Sequence, residues 1–522
     1  MNQVFEQRLA ALLSRGDVSV AGGKRGVEKE SLRVTSDGYL AQTPHPQGLG
    51  SALTNRFITT DFSEALLEFV TPALGSTWEA LQVICDIHQF THQHLGDELL
   101  WCASMPCRLP PDAEIPLARY GNSNVGRMKT IYRRGLGHRY GRNMQTIAGV
   151  HFNYSLPETF WTGYREILDE DVDDSEFRSR HYLGLVRNFR RYGWIVLYLF
   201  GASPALCKSF GAGRALSMPE LNAETWYEPY GTSLRMSDLG YNNKTQAGIS
   251  ISLNRLDEYI RDLSEAIRTP EPDYEKIGVI RNGEYQQLNT NKLQIENEYY
   301  SPIRPKRVAR SGERPTAALR RGGIEYVEIR SLDLNVSDPA GINQNTMRFI
   351  EAFLIFCLLE ESPPFDEVSF EEALQNQSLT AKRGREPGLQ LRRNGKPIAL
   401  LKWAAEIVEK VAAVGELIDR RGDDGSYRDA VALAAVHVAE PDTTPSARLL
   451  HELRDSGASF FEFALELARC HKSYFSSIAS MPPERAQQME NEALESVRRQ
   501  REIEAADDTS FEEYLARYFA SG

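Results

Sequence analysis

The chain is poor in cysteine and has no CxxC pair. Its six cysteines, Cys85, Cys102, Cys107, Cys207, Cys357 and Cys470, form no CxxC motif. That excludes a zinc ribbon and argues against a disulfide scaffold, so reduced thiols in a cytoplasmic protein are expected. Long apolar runs are missing as well. The longest, residues 194–202 and 353–359, are far too short to span a bilayer, so no membrane partner is expected. The N-terminus carries Phe5, Leu9, Leu12 and Leu13 at amphipathic-helix spacing and lacks the layout of a signal peptide. There is no positive excess either. The formal net charge is -12, which argues against a nucleic-acid partner while leaving an anionic substrate open, because local arginines override a global sign. The GxxxxGK[ST], GxGxxG and GxSxG patterns are all absent. Any ATP bound here must therefore be held by metal ions and arginines rather than by a P-loop. There is no fixed-period repeat and no low-complexity tract.

What remains is a chain of 522 residues, 41% hydrophobic and 25% charged, ordinary values for a globular protein with a large core. Strand-like runs dominate residues 25–75 and recur at 148–155, 293–296 and 324–332. Helical spacing appears at 1–20, 78–95, 181–199 (ending near Gly201) and 254–267. After residue 340 it becomes nearly continuous, at 346–361, 398–417, 427–438, 446–456, 459–473 and 483–505. Strands first and helices last indicate an α+β fold rather than repeated βαβ units.

The most informative local feature is Glu28 and Glu30, one residue apart in the strand-like run 27–34. Alternate side chains of a strand share a face, so both carboxylates point the same way, and a cation between them would relieve their repulsion. Downstream, Glu328 and Arg330 share a face in the same manner. Glu68 and Glu328 each lie in an apolar run, where an acid needs a reason to be. With Asp61 they make a set of hard oxygen donors suited to a divalent cation that bridges carboxylates and phosphates. His151, in the strand-like run 149–154, is either a core histidine or a further ligand through a neutral ring nitrogen. Arg235, Arg304, Lys306, Arg307, Arg310 and Arg330 form the basic set. The guanidinium fork matches carboxylates and phosphates, although residues 304–310 also read as a solvated loop. Tyr132, Gln145, Arg235, Tyr241 and Tyr300 lie in segments of the kind that line small-molecule pockets. The trio His88, His92 and His94 reads as an exposed helix face rather than a zinc site, and Cys102 with Cys107 shows no sign of thiol activation.

Six blocks of this sequence together resemble the proteobacterial type of glutamate–cysteine ligase: residues 26–33, 59–69, 149–154, 233–241, 293–300 and 321–331. The likeness is nearly collinear from 20 to 345, weakens between 365 and 435, and returns around residues 444–448. It implies a single catalytic unit over 1–522, with the active-site sheet and loops in 20–345 and a mainly helical region, 346–522, packed on it. The implied fold is glutamine-synthetase-like, a curved, largely antiparallel sheet forming a funnel surrounded by helices. The implied reaction joins the γ-carboxylate of L-glutamate to L-cysteine with ATP as co-substrate, by way of γ-glutamyl phosphate. The family's metal ligands match Glu28, Glu30, Asp61, Glu68, His151 and Glu328, for two or three Mg2+ ions with Mn2+ as an alternative. Its cysteine pocket matches Tyr132, Leu136, Gln145, Arg235, Tyr241 and Tyr300. Arg330, with Glu328, takes the catalytic role at the γ-phosphate, and Arg304, Lys306 and Arg307 are expected to assist in holding the triphosphate or glutamate. The resemblance further implies a monomer and feedback inhibition by glutathione. The residues alone leave two rivals open: a ligase of this kind with another amine acceptor, and a non-catalytic ATP-sensing or interaction protein.

Overall fold

The alternation around Glu28 is a real strand. In the computed structural model, which describes residues 3–211, 216–240, 248–310, 312–420 and 425–520, it belongs to β1 (Lys24–Val34). The other strands of the main sheet are β2 (Ile58–Thr60), β3 (Leu66–Val70), β4 (Leu99–Leu100), β5 (Val150–Ser155), β6 (Ile303–Lys306) and β7 (Tyr326–Leu332). Their spatial order is β6-β7-β5-β1-β3-β2, with β4 paired to the end of β1, and every pairing is antiparallel. The fold is thus a mix of helices and antiparallel sheet.

One face of β1 turns to a cavity and the other to packed helices. On the packed side Lys29 is buried and its Nζ lies 3.0 Å from His88 Nε2, on the Thr77–His94 helix. The central helix Gln344–Leu359 is buried along nearly its whole length. Glu351 on that helix forms a buried ion pair with Arg25 of β1 and accepts a hydrogen bond from Tyr427 Oη at 2.9 Å. Removing either charged partner would strand the other in the interior, so this pair fixes the helix against the strand. The main hydrophobic core draws on residues from Phe5 to Ala468. Among the described residues no helix is long and apolar enough to cross a membrane.

The helices expected after residue 340 form at Gln344–Leu359, Leu400–Asp419, Ser426–Ala439, Pro445–Ser456, Phe460–Ser477 and Pro483–Ala506. The expected helix at 181–199 is two, Asp174–Tyr192 and Trp194–Phe200, divided at Gly193. Four other expectations need correction. Residues 293–296 do not make a strand. They lead into a 3-10 turn, Glu296–Glu298, because buried side chains claim the local geometry: Arg314 and Thr316 bind the Glu296 carboxylate, and Gln294 binds the backbone of Tyr132 and Leu288. Residues 304–306 are not a solvated loop, since pairing with β7 makes them β6 and buries Arg304. His88 is not on an exposed face, because it is stacked on Phe475 in the interior. Nor are all six cysteines reduced: Cys107 and Cys207 form a disulfide, their Cα atoms 5.5 Å apart across a sequence separation of 100. Folding brings together what sequence spacing kept apart.

Candidate active site

Sheet register assembles the acids. Glu28 stands opposite His151 on β5, Glu30 opposite Glu68 on β3, and Glu328 opposite Asn153 on β5. Directly opposed residues in an antiparallel pair present their side chains on the same face, so four strands aim these groups at one point. Asp61 follows directly on β2. All five acids and His151 line one cavity of about 270 Å³. Its walls also include Tyr132, Leu136, Gln145, Tyr300, Arg304, Lys306 and Arg330.

His151 is the hub. Its Nδ1 lies 3.2 Å from Glu28 Oε2 and 4.0 Å from Glu328 Oε1, and its Nε2 lies 3.7 Å from Glu30 Oε1. Asn153 donates from Nδ2 to Glu28 Oε1 at 2.8 Å, and the Gly149 N–H donates to Glu30 Oε2 at 2.7 Å. Glu328 faces two cations: Lys306 Nζ and Arg330 Nη1 each stand 3.4 Å from its Oε1.

The fields differ across the cavity. Burial alone would raise the Glu328 pKa, but Lys306, Arg330 and His151 outweigh it and hold the carboxyl well below its usual range. Glu28 is also held low, with the His151 hydrogen bond and the Lys306 charge overriding burial. Glu30 is pushed up by burial and by Asp61. Glu68 is pushed up most clearly, by burial and by the negative charges of Glu28, Asp61 and Glu30. Lys306, Arg330 and Arg304 act on Glu328, whereas Glu68 has three acids against it and Arg133 in its favour. Arg330 is itself stabilised as a cation by Glu328 and Glu30, against the cost of burial.

The donor set at the acidic end fits a divalent cation. Glu28, Glu68 and His151 each offer a ligand atom, and these atoms lie within 4.8 Å of one another. Glu328 Oε2 is buried with no hydrogen-bond partner. An orphaned carboxylate oxygen beside a cluster of repelling acids is what a hard cation would satisfy.

Not every residue expected at the site reaches it. Arg235 is buried behind the wall: its Nη2 donates to the Arg330 backbone carbonyl at 2.9 Å, and its Nη1 lies 3.9 Å from Asp333 Oδ1. Arg307 turns away, donating to the carbonyls of Gly322 and Gly323 and pairing with Glu325 at 3.6 Å. Arg310 is exposed. Tyr241 lies outside the described residues. Conversely, Phe62, Arg133, Tyr140, Asn297 and Glu298 line the cavity without having been singled out. Arg133 and Tyr140 come from the Asn124–Tyr140 helix, which carries Tyr132 and Leu136. Its five Lys and Arg residues from Arg127 to Arg139 and its three glycines hide the helical pattern. Glu298 is locked by Arg139 at 2.9 Å and the Tyr140 hydroxyl at 2.7 Å, and the available signal was an acid followed directly by Tyr299 and Tyr300.

A family model described as glutamate-cysteine ligase matches residues 10–380. The chain belongs to the glutamate–cysteine ligase family. A glutamate–cysteine ligase of Alcanivorax borkumensis is 49% identical over 521 residues, covering 99% of both chains. One of Pseudomonas putida KT2440 is 48% identical over 523 residues, covering 100% of this chain and 99% of its own. Among solved structures, the Francisella tularensis glutamate–cysteine ligase in complex with AMP superposes with a TM-score of 0.90 at 36% identity, covering 97% of this chain and 99% of that one. A bifunctional glutathione synthetase from Pasteurella multocida gives 0.71 at 25% identity, covering 91% of this chain and 55% of that one. The chain's activity is accordingly the ATP-dependent ligation of glutamate to cysteine, a step of glutathione biosynthesis.

Proposed function

We propose that ligation proceeds through γ-glutamyl phosphate, in a cavity where acids hold metal at one end and cations hold phosphate at the other. The observation that carries this reading is the single cavity lined by Glu28, Glu30, Asp61, Glu68 and His151 together with Lys306 and Arg330. Glu28, Glu68 and His151, with Glu30, Asp61 and Glu328, are the residues that would hold two or three Mg2+ ions, or Mn2+. Bound there, the ions would supply the positive charge that lets ATP oxygens and an attacking carboxylate approach one another.

The chain's own part is positioning and charge. Arg330 and Lys306, held 3.4 Å from Glu328, would bind the γ-phosphoryl oxygens of the transferring group. A γ-carboxylate oxygen of glutamate bonds to the γ-phosphorus as the bond to the β-γ bridging oxygen breaks, giving γ-glutamyl phosphate and ADP. The cysteine amine then bonds to the acyl carbon, and phosphate departs with the amine's proton. Tyr132, Leu136, Gln145 and Tyr300 give the wall that orients cysteine, with Arg235 braced behind it. Arg304, fixed by the carbonyls of Asn297 and Tyr299, adds positive charge at the phosphate end. The AMP bound by the Francisella relative supports an adenine nucleotide here. All-antiparallel pairing, with the ligand set on one face, supports a glutamine-synthetase-like sheet. The shared core supports one catalytic unit, the 20–345 region carrying the site and 346–522 buttressing it.

The test is ADP release in the presence of ATP, glutamate, cysteine and Mg2+, with each omitted in turn. Release should require all four. Release that ignores cysteine or the metal would overturn the scheme.

A further inference from the structure

Tyr300 has a cavity on each side. Behind the active-site wall lies a second one of about 550 Å³, which shares Tyr300 with the first and reaches from Met236 to the Glu367–Arg383 helix. At its base is Arg190, on the Asp174–Tyr192 helix and only 8% exposed. Its Nε is buried without a hydrogen-bond partner, and among the described residues its guanidinium forms no ion pair. The neighbours on the same helix are different. Arg187 donates to the carbonyls of Leu253 and Ser362, and Arg191 to those of Pro363 and Pro364. What Arg190 has is the ring of Phe370, 4.9 Å from its central carbon, and the nearby hydroxyls of Tyr299 and Tyr300. A ring face is a weak substitute for the water or carboxylate that a buried guanidinium gives up.

The rest of the cavity suggests what would complete it. The walls between base and mouth are chiefly apolar and aromatic, with Ile249, Ile251, Phe365 and Phe370 among them. The mouth carries three exposed carboxylates, Asp366, Glu367 and Glu371. A cation at the base, apolar walls and acids at the rim complement a small zwitterion with an apolar body. We propose that this second cavity binds a free amino acid with an apolar side chain, its carboxylate on the Arg190 guanidinium and its ammonium toward the acidic rim. The planar fork of arginine takes a carboxylate in a bidentate manner, and the volume lies within the range of small-molecule sites. Nothing in this assignment depends on the metal–phosphate scheme, since no residue cited for it is a proposed metal or phosphate group.

Calorimetric titration of the full chain with three probes tests it: L-phenylalanine, 3-phenylpropionate without the ammonium, and phenethylamine without the carboxylate. L-phenylalanine should bind at one site per chain, 3-phenylpropionate more weakly and phenethylamine not at all. Arg190→Met should weaken L-phenylalanine by roughly tenfold or more, the loss of one charge-assisted pair. Leu374→Trp, at the exposed rim, should block the cavity without disturbing the core and give the same loss if Arg190→Met does not fold. Glu328→Gln should leave binding unchanged. The proposal is overturned if L-phenylalanine fails to bind the unmodified chain, binds no better than phenethylamine, or binds the Leu374→Trp variant as well as the parent. Loss of binding in Glu328→Gln would place the ligand in the catalytic cavity and also overturn it.

Discussion

The two faces of β1 bury charge in opposite ways. On the cavity face, Glu28 and Glu30 join Glu68, Asp61 and Glu328, and the strands converge on more negative charge than the local hydrogen bonds absorb. On the packed face, Lys29 is buried beside His88, and burial brings its pKa down to about 7. Burial there favours the uncharged amine of Lys29, while Arg25 on the same face keeps its charge by pairing with Glu351. The cavity face favours ionised Glu28 and Glu328 by placing His151, Lys306 and Arg330 among them, and leaves Glu30 and Glu68 raised, for a cation to complete. Charge that folding neutralises or pairs off serves packing, whereas charge that folding leaves short of a partner serves a ligand.

The sharpest way to break this comparison is to remove charge from the cavity face at its phosphate end. Arg330→Ala or Glu328→Ala should lower turnover by about two to three orders of magnitude, the usual cost of losing a charge-stabilising group, with the circular dichroism spectrum preserved. Near-normal ADP release from either variant would separate the cavity from the chemistry. At the acidic end, Glu68→Gln should also disable turnover, yet it should stabilise the metal-free protein by on the order of 1 kcal/mol, because it removes a carboxylate raised by its like-charged neighbours. Urea unfolding without metal reads that sign, and a loss of stability would show that the acids are already satisfied.

The packed face makes the opposite prediction. Lys29→Met should leave turnover within a few-fold of the parent. It should also change how stability depends on pH. The folded-state pKa of Lys29 lies below its ordinary value of 10.5, at about 7. Between those values the unfolded chain binds the extra proton, so stability should rise with pH across that window, by about 1.4 kcal/mol per pH unit for one proton. The variant should lose that part of the slope. Chemical unfolding at pH 7, 8 and 9 measures it, and an unchanged slope would mean that Lys29 stays charged. The smallest effect is expected for Arg307→Ala, about twofold or less in turnover, because that guanidinium is spent on Gly322, Gly323 and Glu325. A large loss would put Arg307 back among the phosphate groups.

Much of the cavity was legible because period-2 spacing makes face a local property. Glu28 with Glu30, and Glu328 with Arg330, declared a shared side before any pairing was known. What the spacing could not show was register, which brings Glu68 opposite Glu30 and His151 opposite Glu28. Register also turns the basic segment at 304–306 into a buried strand, against its composition. The Asn124–Tyr140 helix escaped because its inner face looks into a polar cavity rather than an apolar core, so hydrophobic periodicity had little to mark it. His88 and the Cys107–Cys207 pair failed for a related reason: burial and proximity there come from the Phe460–Ser477 helix and from a strand a hundred residues away. The assignment to glutamate and cysteine came from resemblance across many blocks and then from the family match, not from the geometry of the acids.

The claim at the centre is that the cavity face of β1 is built to hold a divalent cation. Titration of the full chain with Mn2+, followed by electron paramagnetic resonance of the free ion, tests it directly. The account predicts saturable binding to the unmodified chain that is lost in His151→Ala and in Glu68→Gln and kept in Lys29→Met. Equal Mn2+ uptake by all four proteins would contradict it.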